Sequence, residues 1–366
     1  MLCGMLGQSL RFDQHRTMGL RGETSSYFLA ENVVSLEHAA ALMRLAPANP
    51  FCTRSYAEAM RAKGYQPWLL GTERERKLVA GCYAFITSGG LNRALQIPSL
   101  PDLAYHDFFW GGLLGFCSSH HVTCLELNSF ASSGARIPAL PGEVERQERC
   151  EYVLDLGDPQ WGRNVARKHR YSIRKALRAG VTMRKATSHD ACRDHGRVMA
   201  TSRERRRKRG ESIPGSVEDV WSWCLLLIEK GAGELFQAVA GGKVLSSVMV
   251  LRAAEGAYGE TGGTSPEGME CGASHFLHYS IARVLREESV RAFNLGGAEL
   301  NPGLALFNRH FGATPVPLEA GTFYLGSGLR RKLTEAVRFL RQRGASLADW
   351  PWRSCFQVAR RRSCPL

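Results

Sequence analysis

Residues 289–298 have the sequence SVRAFNLGGA, and residues 121–130, HVTCLELNSF, are built in the same way. In both stretches a short apolar strand pattern ends in small or polar residues, and Val290 corresponds to Val122. A strand–turn–strand pattern recurs upstream, where residues 244–247 (VLSS) correspond to residues 78–81 (LVAG). Two correspondences at nearly equal separation indicate a duplicated unit.

The order of patterns in each copy predicts the fold class. Each copy contains a helix, a hairpin, a loop, a second helix and a strand, which is typical of an α+β unit with a largely antiparallel sheet. We expect a poorly ordered N-terminal segment at 1–26, a first unit at 27–150 and a second unit at 151–328. Residues 329–366, which begin LRRKLTEAVRFLRQRG, predict a basic amphipathic C-terminal helix and tail.

Length and charge narrow the functional classes. A chain of 366 residues exceeds the size at which one core usually stops growing, so two units are expected. The formal net charge of +14 favours a polyanionic partner such as nucleic acid, a phosphate-rich substrate or an anionic membrane surface. The alternative is an arginine-rich composition that serves solubility. No apolar run could cross a bilayer and no secretory signal is evident, so a cytoplasmic protein is predicted.

Several common chemistries lack their signatures. The eleven cysteines are scattered without CxxC spacing, which argues against a zinc site or a disulfide framework and favours buried free thiols. No metal site is therefore predicted. The chain also has no GxSxG elbow, no HExxH motif and no Walker loop, so a serine hydrolase, a zinc protease and a kinase are not predicted.

The junction TGGTSPEGMECGAS at residues 261–274 is the first candidate site. It predicts a glycine-containing loop before a helix that starts near Ala273, and a helix N-terminus offers free N–H groups to a phosphate. The alternative is a plain loop capped by Ser274. The candidate substrate- or cofactor-binding residues here are Gly262, Gly263, Thr264, Ser274 and His275.

Two basic runs are further candidates for phosphate binding. The first is VARKHRYSIRKALRAG at residues 165–180, in which Lys168, Arg170 and Arg174 alternate with apolar residues. The second is RERRRKR at residues 203–209. Lysine and arginine donors on a helix suit phosphate oxygens, although a single basic run is more often a solvated face.

Polar residues also follow two predicted strands. Asn294 lies at the end of a strand, and the glycine pair after it marks a turn or a close approach to a ligand. Tyr258 lies at the end of the strand before the predicted Gly262–Gly263 loop, which makes it a candidate for proton handling or substrate binding. The alternative for Tyr258 is a packed core aromatic.

The order of these segments resembles the tandem-GNAT acyltransferases, including the Fem-like aminoacyl transferases. The likeness spans roughly residues 27–330 and is carried by LVAGCYAF, LELNSFAS, ARKHRYSIRKALRAGV, GETGGTSPEG and ASHFLHYSIARVLREESVRAFNLGGAELNPGLALFNRHFG. The resemblance implies two GNAT-type units packed around a shared cleft. It implies transfer of an acyl group from acyl-CoA, or of an aminoacyl group from aminoacyl-tRNA, to an amine of a small molecule or cell-envelope precursor.

The resemblance also implies roles for individual residues. The family's Phe–Lys–Arg sequence corresponds to Phe307, Asn308 and Arg309 here, which implies that Asn308 and Arg309 contact the donor. Tyr258 is the implied catalytic phenol, and the gap between the central strands is expected near residues 248–250 and 294–295. The second unit is predicted to bind the donor. The Arg/Gln–x–x–Gly–x–Gly/Ala run of CoA-dependent members has no clear counterpart.

A protein of another class fits some of the same features. A duplicated fold without donor motifs would be a catalytically silent basic binding module for RNA or an anionic membrane surface, and the basic C-terminal helix suits a membrane. The enzyme hypothesis predicts that Tyr258, Asn294 and Arg309 converge on one pocket, whereas the binding module predicts a filled cleft.

Overall fold

The computed structural model describes residues 9–12, 26–32, 35–89, 92–102, 106–132, 135–208, 217–298 and 302–327, and the predicted C-terminal helix lies outside them. The strands are β1 (Ser9–Phe12), β2 (Ser26–Glu31), β3 (Gln66–Arg74), β4 (Lys77–Gly89), β5 (Asn92–Ile97), β6 (Cys124–Leu127), β7 (Glu143–Asp155), β8 (Thr182–Ala186), β9 (Gly233–Ala240), β10 (Lys243–Arg252), β11 (Gly256–Thr264), β12 (Ala292–Gly297) and β13 (Thr314–Tyr324). The helices are α1 (Leu36–Leu45), α2 (Arg54–Ala62), α3 (His106–Ser119), α4 (Trp161–Asn164), α5 (Arg167–Arg178), α6 (His189–Lys208), α7 (Val217–Glu229), α8 (Pro266–Cys271), α9 (Ala273–Glu287) and α10 (Pro302–His310), with a short 3-10 turn at Pro50–Cys52.

The duplication and the α+β class predicted from the sequence are confirmed. Strands β3, β4 and β5 are antiparallel neighbours and β5 pairs in parallel with β6, while β9, β10, β11 and β12 repeat this pattern. Helices α3 and α9 connect the two parallel pairs. The predicted order omitted β5 and ended β11 too early, because polar and glycine-rich residues in these strands resemble loop composition.

The two units share one sheet through a reciprocal exchange of strands. The order across the sheet is β1-β2-β3-β4-β5-β6-β13-β7-β12-β11-β10-β9-β8. Strand β7 follows the first unit but pairs with β12, and β13 follows the second unit but pairs with β6. The predicted boundary after residue 150 falls within β7, and the division into residue ranges remains a prediction.

Three hydrophobic cores lie on the two faces of this sheet. On one face, α3 covers the first unit and α5 and α9 cover the second. On the other face, residues of both units form a common core. There the Tyr56 ring meets Trp223 at 6.2 Å, and Phe51 meets Tyr258 at 5.0 Å. Edge-to-face pairs of this kind each contribute about 0.5–1.5 kcal/mol beyond their buried area, so they join the two units firmly.

Local sequence explains where α9 begins and how it packs. Helix α9 begins at Ala273 as predicted, after Gly272 adopts the left-handed conformation with φ of +83°. Its buried apolar residues include Phe276, Leu277, Ile281 and Leu285. Helical spacing puts them on one side, where they pack against the sheet.

Candidate active site

The parallel pairing of β11 and β12 is short. The two strands pair at Gly256↔Ala292, Ala257↔Phe293 and Tyr258↔Asn294, after which the only described partner of β11 is β10. In the first unit, β5 and β6 pair over four positions, and the bridge Ser99↔Ser129 extends the contact. Among the described strands, pairing therefore ends early in the second unit, at the two residues that the sequence singled out.

A buried carboxylate joins those two residues. Glu151 on β7 is 1% exposed. Its Oε1 accepts a 2.8 Å hydrogen bond from the Tyr258 hydroxyl. Its Oε2 accepts hydrogen bonds from the Asn294 side-chain amide at 2.7 Å and from the Ala131 N–H at 3.1 Å. The sequence analysis missed Glu151, which connects β7, β11, β12 and the loop after β6.

Burial controls the protonation of this group. Desolvation raises the pKa of the Glu151 carboxyl, while its hydrogen bonds and the nearby Arg149 charge act in the opposite direction. Burial, reinforced by the negative charge of Glu151, raises the pKa of Tyr258 well above its ordinary value. The Tyr258 phenol is therefore protonated near neutral pH and can donate its hydrogen bond.

A β-bulge follows Tyr258 and contains a second acid. In the pairing with β10, Gly259 lies opposite Val250 and Thr261 lies opposite Met249, so Glu260 is the extra residue of β11. A bulge disrupts the ladder and changes the direction of a side chain. The Glu260 carboxylate accepts a 3.2 Å hydrogen bond from the Trp223 indole N–H.

The first unit contributes a charge next to this acid. The Lys63 ammonium at the end of α2 lies 4.4 Å from the centre of the Trp223 ring. Burial raises the pKa of Glu260, and the Trp223 hydrogen bond and the Lys63 charge oppose that rise. Glu260 was also missed from the sequence, since a bulge has no simple sequence pattern.

A buried histidine fixes the strand just beyond the bulge. His195 on α6 is fully buried, with Nδ1 2.9 Å from the Ser247 hydroxyl and Nε2 2.9 Å from the Thr261 hydroxyl. Burial lowers the pKa of His195 to about 4, assisted by the Arg203 charge, so the ring is neutral at pH 7. His195 thus connects α6 to both β10 and β11.

The prediction of a glycine-containing loop before α9 is wrong. Gly262, Gly263 and Thr264 belong to β11 and lie opposite residues 246–248 of β10. A Cβ on Gly263 would lie 2.9 Å from the backbone of Val198, so this glycine allows α6 to approach the strand. The substrate-binding role of the three residues remains a prediction.

The start of α9 is in contact with another helix. The alternative in which Ser274 caps α9 is wrong, because the cap position is Gly272, which makes no side-chain hydrogen bond. A Cβ on Gly272 would lie 2.6 Å from the Ser172 carbonyl oxygen of α5. The phosphate-binding role predicted for Ser274 and His275 stays a prediction.

Four histidines gather where α5, α9 and α10 meet. The His169 ring lies 4.5 Å from His275 and 5.2 Å from His310, and His278 lies 5.3 Å from Phe307. Burial is the main cause that lowers the pKa of both His169 and His275 to about 4. In the described part of the chain, no three histidine, cysteine or acidic residues are arranged to hold a metal ion.

The predicted convergence of Tyr258, Asn294 and Arg309 is only partly correct. Tyr258 and Asn294 meet at Glu151, but Arg309 is exposed on α10, with its guanidinium 5.9 Å from the centre of the Tyr152 ring. Consecutive residues of a strand point to opposite faces, so Tyr152 and Arg309 lie across the sheet from Glu151. Asn308 is buried on the same helix at 1% exposure.

The predicted phosphate-binding cations lie on an exposed helix face. Lys168, Arg170 and Arg174 are all exposed on α5. The Arg170 guanidinium donates a 3.3 Å hydrogen bond to the Arg163 carbonyl of α4. Helix α5 packs against the same sheet face as α9, away from Tyr258, and the phosphate role of these cations stays a prediction.

Residues 163–302, which run from α4 to the start of α10 and include the β11–β12 pair, match the family described as "Acetyltransferase (GNAT) domain". The resemblance to the GNAT acyltransferases is thereby confirmed over this region. The N-acyltransferase class predicted from the sequence is confirmed as well, whereas the donor, the acyl group and the acceptor stay predictions. A comparison with curated proteins finds no match.

Solved structures are similar in fold to this chain across both units. FemX superposes with a TM-score of 0.62 at 12% identity, covering 84% of this chain and 99% of FemX. A tandem GNAT protein from the clavulanic acid biosynthesis pathway gives a TM-score of 0.55 at 14% identity, covering 83% and 100%. The C-terminal domain of a putative lysylphosphatidylglycerol synthetase from Agrobacterium fabrum gives 0.51 at 15% identity, covering 82% and 96%. At these identities the likeness shows a common tandem-GNAT fold.

No helix in the described ranges is both long enough and apolar enough to span a bilayer.

Proposed function

We propose that this GNAT protein transfers an acyl group from an acyl-CoA thioester to a primary amine, with the chemistry at the end of the β11–β12 pairing. The observation that carries the proposal is the early end of that pairing at Tyr258↔Asn294, next to two acids with raised pKa values. The longer β5–β6 pairing supports assigning the donor to the second unit and a supporting role to the first.

The proposed donor site uses backbone as much as side chains. Beyond Tyr258 the described strand partner of β11 lies on one side only, so we place the thioester carbonyl against N–H groups on its other side, before Thr264, whose N–H donates to the Ser202 hydroxyl. Fixed N–H donors stabilise the oxyanion that forms when an amine attacks. Gly296, with φ of +82°, turns β12 at this level and brings no side chain into the space.

Glu260 is the proposed proton acceptor. An amine must lose a proton when its nitrogen bonds to the carbonyl carbon and the carbon–sulfur bond breaks. A carboxylate whose pKa is raised toward the working pH accepts that proton more effectively than an ordinary one. Glu260 is half-buried, whereas Glu151 is almost fully enclosed and its described hydrogen bonds already engage both oxygens.

Glu151 then acts as a positioning residue together with Tyr258 and Asn294. It holds β11 and β12 together at the last paired position, and Tyr258 contributes to catalysis by keeping this geometry. The exposed cations Lys168, Arg170 and Arg174 remain our candidates for contacts with donor phosphates. Acyl transfer returns the proton lost by the amine to the thiolate or to solvent, so no further reactant is needed.

The direct test is an acyl-transfer assay with acetyl-CoA and longer acyl-CoA thioesters against a panel of amines. Product and free CoA should be separated chromatographically, because the protein's own free cysteines interfere with a thiol reagent. We expect Glu260→Gln to lower kcat by about 10²-fold or more. The matched control is Glu270→Gln, which removes an exposed acid on α8.

Aminoacyl-tRNA is the second candidate donor, supported by the exposed basic face of α5 and the net charge. Transfer from charged tRNA, with no turnover of acyl-CoA, would replace the CoA proposal. Failure of both donors, together with RNA or vesicle binding that is lost steeply as salt rises, would support the catalytically silent binding module instead.

A further inference from the structure

A surface groove lies on the solvent side of the α9 helix, apart from the β11–β12 gap. It has a volume of about 460 Å³ and lies between α4 and α9. Its lining residues are Pro159, Trp161, Gly162, Arg163, Tyr279, Arg283, Arg286 and Glu287. All of them belong to the described chain, and none takes part in the proposed acyl transfer.

The charge of the groove is strongly positive. Three guanidinium groups face one carboxylate, and that carboxylate, on Glu287, pairs with Arg283 at 3.4 Å. Both members of the pair are about two-thirds exposed, so the pair is weak and easily rearranged. In the described part of the chain, the side chains of Arg163 and Arg286 make no ion pair. Their two guanidinium groups are therefore available to an anion.

Aromatic side chains form the floor of the groove. The Tyr279 ring lies 5.5 Å from the buried Trp161 ring, with the planes tilted by 38°. A Cβ on Gly162 would point at the Tyr279 hydroxyl from 4.0 Å, so the glycine leaves space above the phenol. An arginine-lined groove with a half-exposed aromatic suits a phosphate attached to a flat, polar group better than a bare inorganic ion.

The basic surface continues from the groove onto α5. The Arg170 hydrogen bond to the Arg163 carbonyl fixes the start of α5 beside α4. A ligand longer than one phosphate unit would therefore meet further cations along α5.

From this geometry we infer that the α4–α9 groove binds a nucleotide phosphate, either of a free nucleotide or of an RNA strand. Arg163 and Arg286 contact the phosphate oxygens, Arg283 contributes charge, and Tyr279 supports the base or sugar. The site is independent of acyl transfer, because its ligand does not need to enter the strand gap.

Fluorescence anisotropy with labelled ADP and with a short labelled single-stranded RNA tests the inference, with pyrophosphate as competitor and no acyl donor or amine present. The double variant Arg163→Ala/Arg286→Ala should weaken binding by about tenfold or more, because charge-assisted contacts are lost. Gly162→Leu should weaken it at unchanged net charge by filling the groove. The matched control, Arg54→Ala/Arg61→Ala, removes the same charge from the exposed face of α2.

If ADP binds and pyrophosphate displaces it, the ligand of the groove is a free nucleotide. If only the RNA binds, the ligand is an RNA strand. In both cases the groove variants must lose the binding. The inference is overturned if neither probe binds, or if the α2 control weakens binding as much as the groove variants. Thermal unfolding of each variant confirms that any loss arises in a folded protein.

Discussion

The Tyr258 hydroxyl donates a 2.8 Å hydrogen bond to Glu151, a residue 107 positions earlier in the chain. The bond links β11 to β7 at the level where β11 and β12 stop pairing. Because β7 is the strand that connects the two units, the same carboxylate ties the end of the β11–β12 pairing to the middle of the sheet. Four predictions concern this region and its surroundings.

Removal of the Glu151 carboxylate should be strongly destabilising. Glu151→Ala leaves the Tyr258 hydroxyl, the Asn294 amide and the Ala131 N–H buried without their acceptor, and we expect a loss of about 3–5 kcal/mol in the free energy of unfolding. Glu151→Gln should cost less because one oxygen remains. Urea unfolding measures both, with the exposed Glu148→Ala on the same strand as control. A loss at Glu151 no larger than the control would contradict this account.

The Lys63 charge should lower the pKa of Glu260, which lies in the other unit. The Lys63 charge opposes the raised pKa of Glu260, so Lys63→Met should move the acidic limb of the kcat/KM profile to higher pH. The exposed Lys77→Met provides a control with the same change in net charge. An unshifted limb in Lys63→Met would show that Glu260 is not the group titrating in that limb.

The histidine cluster should make the fold sensitive to acid. In the folded protein the pKa of both His169 and His275 is about 4, below the ordinary 6.5. Between pH 4 and pH 6.5 the folded protein therefore binds fewer protons than the unfolded chain. The stability contributed by the neutral rings is complete above pH 6.5 and is lost as the pH falls toward 4.

Replacement of one member should flatten this dependence. His275→Phe keeps an aromatic ring beside Phe307 but cannot be protonated, so the decline in melting temperature between pH 6.5 and 4 should be smaller than in the unmodified protein. The exposed His121→Asn serves as control and should leave the decline unchanged. Equal declines in all three proteins would assign the acid sensitivity to other groups.

Replacing Gly296 should affect both the stability of the protein and the gap between β11 and β12. Its φ is +82°, and a Cβ there would lie 3.4 Å from the Gly259 carbonyl oxygen. We expect Gly296→Ala to cost about 1–2 kcal/mol of stability from the left-handed conformation and to lower kcat/KM as well. Gly242 has a φ of +74°, and a Cβ there would have no atom within 4 Å. Gly242→Ala therefore reproduces the backbone strain without the contact. Equal activity in the two variants would remove Gly296 from the donor site.

The sequence was informative where contacts are local. The two hairpins and the strands β6 and β12 repeat because each is encoded within a short stretch. Tyr258 and Asn294 were predicted to converge and do lie opposite each other, although within β11 and β12 rather than at the ends of these strands. Glu151 was not, since it lies in an acidic strand, EVERQERCEY, whose composition predicts an exposed edge rather than a buried hydrogen-bond acceptor.

The other errors have equally specific causes. Gly262 and Gly263 resemble a turn by composition, yet Gly263 serves the close packing of α6. Arg309 follows Asn308 at a family-like position, but the face on which it lies depends on how α10 packs, which spacing alone does not determine. The pairing of β7 with β12 and of β13 with β6 joins segments so distant in sequence that no local pattern reports it.

The exchange of strands has a consequence for synthesis on the ribosome. Phe323 of β13 belongs to the core of the first unit, together with residues as early as Phe28. The N-terminal half emerges first, but the strand that closes its sheet is almost the last of the described chain to leave the exit tunnel. The first unit must therefore wait, partly formed, until nearly the whole protein has been translated, and a chain split between the units would leave both halves without a strand.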